Sequence, residues 1–337
     1  MVKDSDIFER DDQRIVAALQ VHPRAGAGEM GRILGEHERT VARRVQRLTA
    51  AGLIRSTAVP DHVRCGLGSS VQVRLRAPRG CLEEIAGALA QRDEVLGVSA
   101  VSGGGGLLWC EVVVRSRPLL HSWTAEGVPG LDNADVLNTY VTLRPFTTGP
   151  QWHAPVLTEE EEKRLRASMV QPLSGLADRY TLSPTDELVV AALTHNARIS
   201  LTDLAKELGF STATSGRRVA SLLERRLLHL YTVVEPALLG RPVEARIRLK
   251  VHPTALEEVG TALADSPAVR YCAAVAGRHN LLADVCLEHE SALYRFTVEQ
   301  LGGFAHILDY STEIITHTYK RGPDTPVASV TPVAPVT

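Results

Sequence analysis

The chain has 337 residues, of which 44% are hydrophobic and 23% charged, and its net charge is −2. At roughly 150 residues per domain, that length calls for two or more cores. An aromatic fraction of 4% argues against a carbohydrate groove or a single-strand stacking platform, whereas the neutral balance leaves duplex nucleic acid open, because local charge decides that question.

The start, MVKDSDIFERDDQ, is charged and has no apolar h-region, so no signal peptide is expected. No apolar run approaches the roughly 18 residues of a membrane span, so no membrane partner is expected. Cys65, Cys81, Cys110, Cys272 and Cys286 lie far apart with no C-x-x-C pair. That reads as buried thiols in a reducing cytoplasm, not a disulfide framework or zinc site. No H-E-x-x-H, metal-ligand cluster or Ser/His/Asp order stands out, so no metal, no cofactor and no enzymatic role are expected.

Residues 8–62 carry the first element group, and RTVARRVQRL at 39–48 is its most basic stretch. Val41, Val45 and Leu48 fall at i, i+4 and i+7 and predict a helix with a buried stripe. Arg39, Arg43 and Arg47 fall at i, i+4 and i+8 on a separate stripe, flanked by Thr40 and Arg44. Like charges four apart cost a helix a few tenths of a kcal/mol, a conflict that a polyanion would remove. Residues 66–148 follow: strands at 69–77, 95–102, 107–114 and near 135–144, with helices at 81–91 and near 118–125. That order, βαββαβ, predicts a ferredoxin-like α/β sandwich. SGGGG (102–106) precedes a strand and lacks the Gly-Lys-Ser/Thr of a phosphate loop, so it reads as a hairpin turn.

Residues 149–182 read as a linker. TTGPQWHAP is rich in turn formers, and LTEEEEKRLRASM predicts a solvated helix with Thr158 as N-cap and acidic residues in its first turn. Beyond it the chain repeats itself at an offset of 174 residues. From Asp12/Asp186 to Val59/Val233 there is no gap, and roughly fifteen of about 48 positions are identical. IVAAL lies on VVAAL, LG on LG and Arg-Arg-Val on Arg-Arg-Val; later, LEEI lies on LEEV and AVSGGGGLL on AVAGRHNLL.

In this second copy, 183–236 predicts a helix from Pro184, then LTDLAKEL with Ser200 as cap and Asp203 at its third position. Gly209 ends that helix, and Ser211 caps a third helix from about Thr212 to Arg226. A strand at 227–234 completes a winged helix-turn-helix pattern. The outward residues of the third helix are Ser211, Thr212, Thr214, Ser215, Arg217 and Arg218. In a major groove, Arg can fork to guanine or phosphate, and Ser or Thr can reach either. Arg39, Thr40, Arg43, Arg44 and Arg47 are the matching expectation in copy one, which is richer in charge, while Gly216 weakens the second helix by roughly 1 kcal/mol relative to Ala. Residues 240–320 predict a second ferredoxin-like sandwich, and the proline-rich 321–337 predicts disorder.

These features, ELGFSTATSGRRVASL and AVAGRHNLLADV above all, resemble the Lrp/AsnC family of transcriptional regulators, in tandem form and from about residue 8 to 320. The resemblance implies an α+β chain with two winged helix-turn-helix headpieces and two ferredoxin-like domains that dimerise and bind amino-acid effectors. It implies double-stranded DNA as partner, a pseudo-dimer through the two sandwiches, and homo-oligomers of two or more chains. It places an effector site at Gly103 and Gly106 in copy one and at Gly277, Arg278, His279 and Asn280 in copy two. The family turn carries an acid for the effector's ammonium; the matching Gly106 and Asn280 are not acidic. Two other readings stay open. Haem-pathway decarboxylases acting on sirohaem derivatives resemble the same two-part fold, with His279, His306 or His317 as acid/base groups. A nucleoid architectural protein would keep the DNA contacts without sequence choice.

Overall fold

The computed structural model describes residues 8–131, 133–170 and 180–323, so most of the 321–337 tail and part of the 149–182 linker lie outside the described residues. Two compact units divide the chain: one holds 1–68 with 142–312, the other 69–141 with 313–337. Among the described residues no helix is long and apolar enough to cross a membrane.

The first unit contains both headpieces. Headpiece one is α1 (Arg10–Val21), α2 (Ala27–Leu34), α3 (Glu38–Ala50) and β1 (Ile54–Pro60). Its core gathers Ile15, Leu19, Met30, Leu34, Val41 and Leu48 at helical spacing. Headpiece two is α7 (Pro184–His195), α8 (Leu201–Leu208), α9 (Thr212–Glu224) and β6 (Leu228–Val234), packed through Val189, Leu193, Leu204, Val219 and Leu222. The second helix of each copy ends on a left-handed glycine, Gly35 at φ +77° and Gly209 at φ +70°, a conformation that L side chains disfavour and that sets the helix-turn-helix angle.

The strand after each third helix, expected as a wing of its own headpiece, pairs instead with its duplicate. β1 and β6 are antiparallel from Ile54↔Val234 to Pro60↔Leu228, and Thr57 faces Tyr231, the residue 174 positions on. A strand that meets its own duplicate at the centre of the register obeys a local pseudo-twofold. Arg24 and its duplicate Arg198 obey it too. Arg24 donates to the carbonyls of Ala197 (2.8 Å) and Ile199 (2.9 Å); Arg198 donates to those of Pro23 (2.6 Å) and Ala25 (2.9 Å).

The connector is less free than its composition predicts. α6 (Glu159–Ala167) has Thr158 as its N-cap, as expected, and a capping box forms between Thr158 and Glu161. Yet Leu165 is fully buried and, with Trp152 and Ala154, joins the core of headpiece one. Burying one leucine contributes about 2 kcal/mol. Arg14 of α1 reaches Glu161 at 2.5 Å, so even the acidic face has a partner.

The first unit also carries the second sandwich: β7 (Val243–Val251), α10 (Leu256–Ala264), β8 (Val269–Ala276), β9 (Leu281–Leu287), α11 (Glu290–Arg295) and the first half of β10 (Ile307–Arg321). The other unit holds β2 (Ser69–Arg76), α4 (Leu82–Ala90), β3 (Val95–Val101), β4 (Leu107–Val114), α5 (Arg117–His121) and most of the paired part of β5 (Asp135–Thr147). Each follows the predicted βαββαβ order. In the smaller unit the sheet runs β10-β3-β4-β2-β5, over a core of Val71, Val73, Ile85, Leu89, Leu108 and Trp123. In the larger one it runs β5-β8-β9-β7, over Ile247, Leu249, Val259, Leu263 and Val285. The last strands, β5 and β10, are 13 and 15 residues long; β5 runs on to Thr147, past the predicted 135–144, and the unit boundaries fall within both.

Candidate nucleic-acid interface

Packing decides which way each residue of α3 points. With Val41 and Leu48 buried and Val45 beside them, Arg39 and Arg43 are exposed and make no ion pair among the described residues; Thr40 is half-buried. Arg44 does not face outward as predicted, and Arg47, though exposed, is tied to an acid. Arg44 turns back onto α1 and meets Asp12 at 2.9 Å, Glu9 at 3.0 Å and Asp11 at 3.3 Å. Arg47 meets the other oxygen of Asp12 at 2.5 Å and keeps 44% of its side chain exposed. Asp12 is fully buried, and a buried carboxylate demands such partners. The hydrogen bond to Asp12 raises the Arg44 pKa above the ordinary arginine value, against the opposing pull of burial. The helix start is capped by His37, whose Nδ1 accepts from the Arg39 amide at 3.2 Å.

Headpiece two repeats the device with less charge. Arg218 meets Asp186, the duplicate of Asp12, at 2.8 Å. Asp186 also accepts from the Ser183 hydroxyl (2.6 Å) and amide (3.2 Å). Burial pushes the Asp186 carboxyl up, but the bonds from Ser183 and Arg218 outweigh it and hold the pKa below the usual carboxylate range. Arg217, like Arg43, is exposed and without an ion pair among the described residues. Ser211 caps α9 by accepting from the Thr214 amide, and Ser211 and Thr212 are exposed while Thr214 is half-buried. Ser215 is a correction: it is fully buried and its Oγ has no partner among the described residues. Its position is the duplicate of Val41, on the packed stripe, so it cannot reach a groove.

The predicted effector turns differ in kind. In the larger unit Gly277 and Arg278 are exposed, but His279 points inward, 3.7 Å from Asp309, with Nδ1 unpartnered among the described residues. Burial, then Arg248, lowers the His279 pKa against the pull of Asp309. Asn280 is committed to backbone: its amide donates to the Val251 carbonyl and accepts from the Val251 amide, both at 2.8 Å. In the smaller unit Gly103 and Gly106 have φ +114° and +71°. A Cβ on Gly106 would stand 2.6 Å from the Ala77 carbonyl oxygen, so no side chain fits there. The three histidines weighed as acid/base groups have different neighbours: His279 has Asp309, His306 lies 6.3 Å from His252, and His317 stands edge-on to Tyr319.

Sequence reasoning missed the Asp12 and Asp186 anchors and the Arg24/Arg198 exchange. The signal was present, since all four are charges kept at matching positions of the two copies.

The model of the AsnC-type helix-turn-helix domain matches residues 10–49 and again 182–223, and the Lrp/AsnC ligand binding domain matches 244–325. Transcriptional regulator AzlB of Bacillus subtilis (strain 168) is 25% identical over 150 residues, 43% of this chain and 96% of that protein. The proline dehydrogenase transcriptional activator of Rhodobacter capsulatus is 28% identical over 138 residues, 40% of this chain and 89% of its own. A relative that fits almost whole into less than half the chain matches the duplication. The crystal structure of the siroheme decarboxylase NirDL superposes with a TM-score of 0.57 and covers 95% of both chains at 16% identity, a likeness of fold.

Proposed function

Since this chain belongs to the Lrp/AsnC family of transcriptional regulators, in tandem form, we propose that it reads a specific duplex-DNA sequence through α3 and α9 together, under control of a small molecule. One observation carries the reading. In each copy the second arginine of Arg-Arg-Val anchors the helix to an aspartate, and the first is left exposed and, among the described residues, without an ion pair. Anchoring fixes the helix so that Arg43 and Arg217, with Arg39, Thr40, Ser211 and Thr212, meet a groove in a set orientation. Arg47 and Arg218 keep enough exposure to reach phosphate at the edge. The β1–β6 pairing and the Arg24/Arg198 exchange relate the two helices by the symmetry that a two-half-site operator mirrors, with half-sites about 34 Å apart.

The small molecule in this reading shares the carboxylate of an amino acid and lies at Gly277, Arg278 and His279, where Arg278 would take that carboxylate. Asn280 and Gly106 supply no acid for an ammonium, so an effector without one fits better. Association of chains would cover Leu143, Leu308 and Tyr310, which are exposed. The test is anisotropy of a labelled duplex taken from sites bound genome-wide by the tagged chain. Affinity is expected to fall steeply with salt and to resist random competitor DNA. A flat salt response refutes DNA binding, and equal competition by random DNA refutes sequence reading. Adding an iron tetrapyrrole is expected to leave its absorbance unchanged; a Soret shift would favour an enzyme of the decarboxylase kind.

A further inference from the structure

A cleft of about 690 Å³ lies in the larger unit, between the end of α1, the connector around α6, and the α9–β6 segment of headpiece two. Val219, Ala220 and Leu223 of α9 supply apolar lining. Arg24, Arg166 and Arg226 supply charge, and among the described residues neither Asp nor Glu lines the cleft. The positive charge is poorly balanced. Arg24 spends its hydrogen bonds on neutral carbonyls and has no ion pair among the described residues.

Arg226 is the more telling group. It occupies the left-handed region at φ +54°, among the described residues the one non-glycine to do so. Copy one has Gly52 at the same position, at φ +69°. A side chain there is strained, and strain of this kind collects at functional sites. Two histidines of the lining, His22 and His229, have pKa values lowered chiefly by burial, so at neutral pH they add N–H donors without adding charge.

We propose that this cleft binds a small organic anion with an apolar body, an aliphatic or aromatic carboxylate. The apolar body lies on Val219, Ala220 and Leu223, and the carboxylate meets Arg226 and Arg24. Because α9 both lines the cleft and carries Arg217, occupancy would tie the helix to the connector and alter how Arg217 is presented. This regulatory half rests on the reading of α9 as a DNA-contacting helix; the binding half does not. The site is separate in sequence and structure from the 277–280 turn.

The experiment is calorimetric titration of the full chain with 2-naphthoate, and with uncharged 2-naphthamide as the control for charge. Saturable one-to-one binding of the carboxylate is expected, weaker for the amide by about tenfold, the usual worth of a charged hydrogen bond. Arg226→Gly copies the glycine of headpiece one, relieves the strain, and is expected to weaken binding by about tenfold. Ala220→Trp fills the cleft and is expected to abolish it. No saturable binding, or binding indifferent to Arg226→Gly, overturns the proposal, as does binding lost in Arg278→Ala but kept in Arg226→Gly. Binding of 2-naphthoate by a chain that binds no duplex supports the cleft and overturns the DNA reading instead.

Discussion

Headpiece one concentrates two guanidiniums on one fully buried carboxylate: Arg44 and Arg47 both reach Asp12. Headpiece two does the same work with one guanidinium and a serine: Arg218 and Ser183 share Asp186. The surplus follows the same order outside, where copy one exposes Arg39 and Arg43 but copy two exposes Arg217 beside Ser211 and Thr212. A basic helix therefore has two populations of arginine. Those with a duplicated acidic mate hold the fold, and those without one are free for a polyanion.

The comparison is broken most readily at the anchors. Asp12→Asn removes the carboxylate charge shared by two arginines and is expected to cost about 2–3 kcal/mol of stability, discounted from a fully buried pair because Arg47 is half in water. Asp186→Asn is expected to cost less, about 1–2 kcal/mol, since Arg218 is partly exposed. Urea unfolding checks both, and a larger loss from Asp186→Asn would reverse the ranking. The paired variant Arg24→Ala/Arg198→Ala removes four bonds to carbonyls and is expected to cost about 1–2 kcal/mol. Amide exchange along β1 and β6 should rise together in it; exchange confined to one strand would contradict the pseudo-twofold.

Acid sharpens the contrast further. The Asp186 pKa is lower folded than unfolded, so its contribution is fully present above the unfolded value of about 4. It is lost as pH falls through the lower folded value. Asp186→Asn should therefore flatten the acid limb of stability in that window; an unchanged slope would mean that Asp186 is not held by Ser183 and Arg218.

Much of this was legible because periodicity and duplication are strong signals. The Val41, Val45 and Leu48 stripe, the Gly35 and Gly209 turns, the Ser200 and Ser211 caps and the βαββαβ order all appear where the pattern placed them. What the pattern could not give was direction within a stripe. Arg43 and Arg44 are neighbours in sequence and opposite in role, because Asp12 lies 32 positions away. Ser215 has a groove-contacting residue type at a packed position; its duplicate, Val41, marks that position as buried. The connector hid Leu165 among charges, and Arg24 and Arg198 meet only after two distant headpieces pair.

The smallest expected effects fall on the exposed arginines in the free protein, and the decisive ones on DNA. Arg43→Ala and Arg217→Ala should each change stability by less than about 0.5 kcal/mol. The most direct test measures duplex affinity against salt for the wild type and these two variants. The account predicts a steep fall with salt, a slope smaller by about one in each variant, and a greater loss of affinity in Arg43→Ala. A slope that neither substitution moves would contradict it.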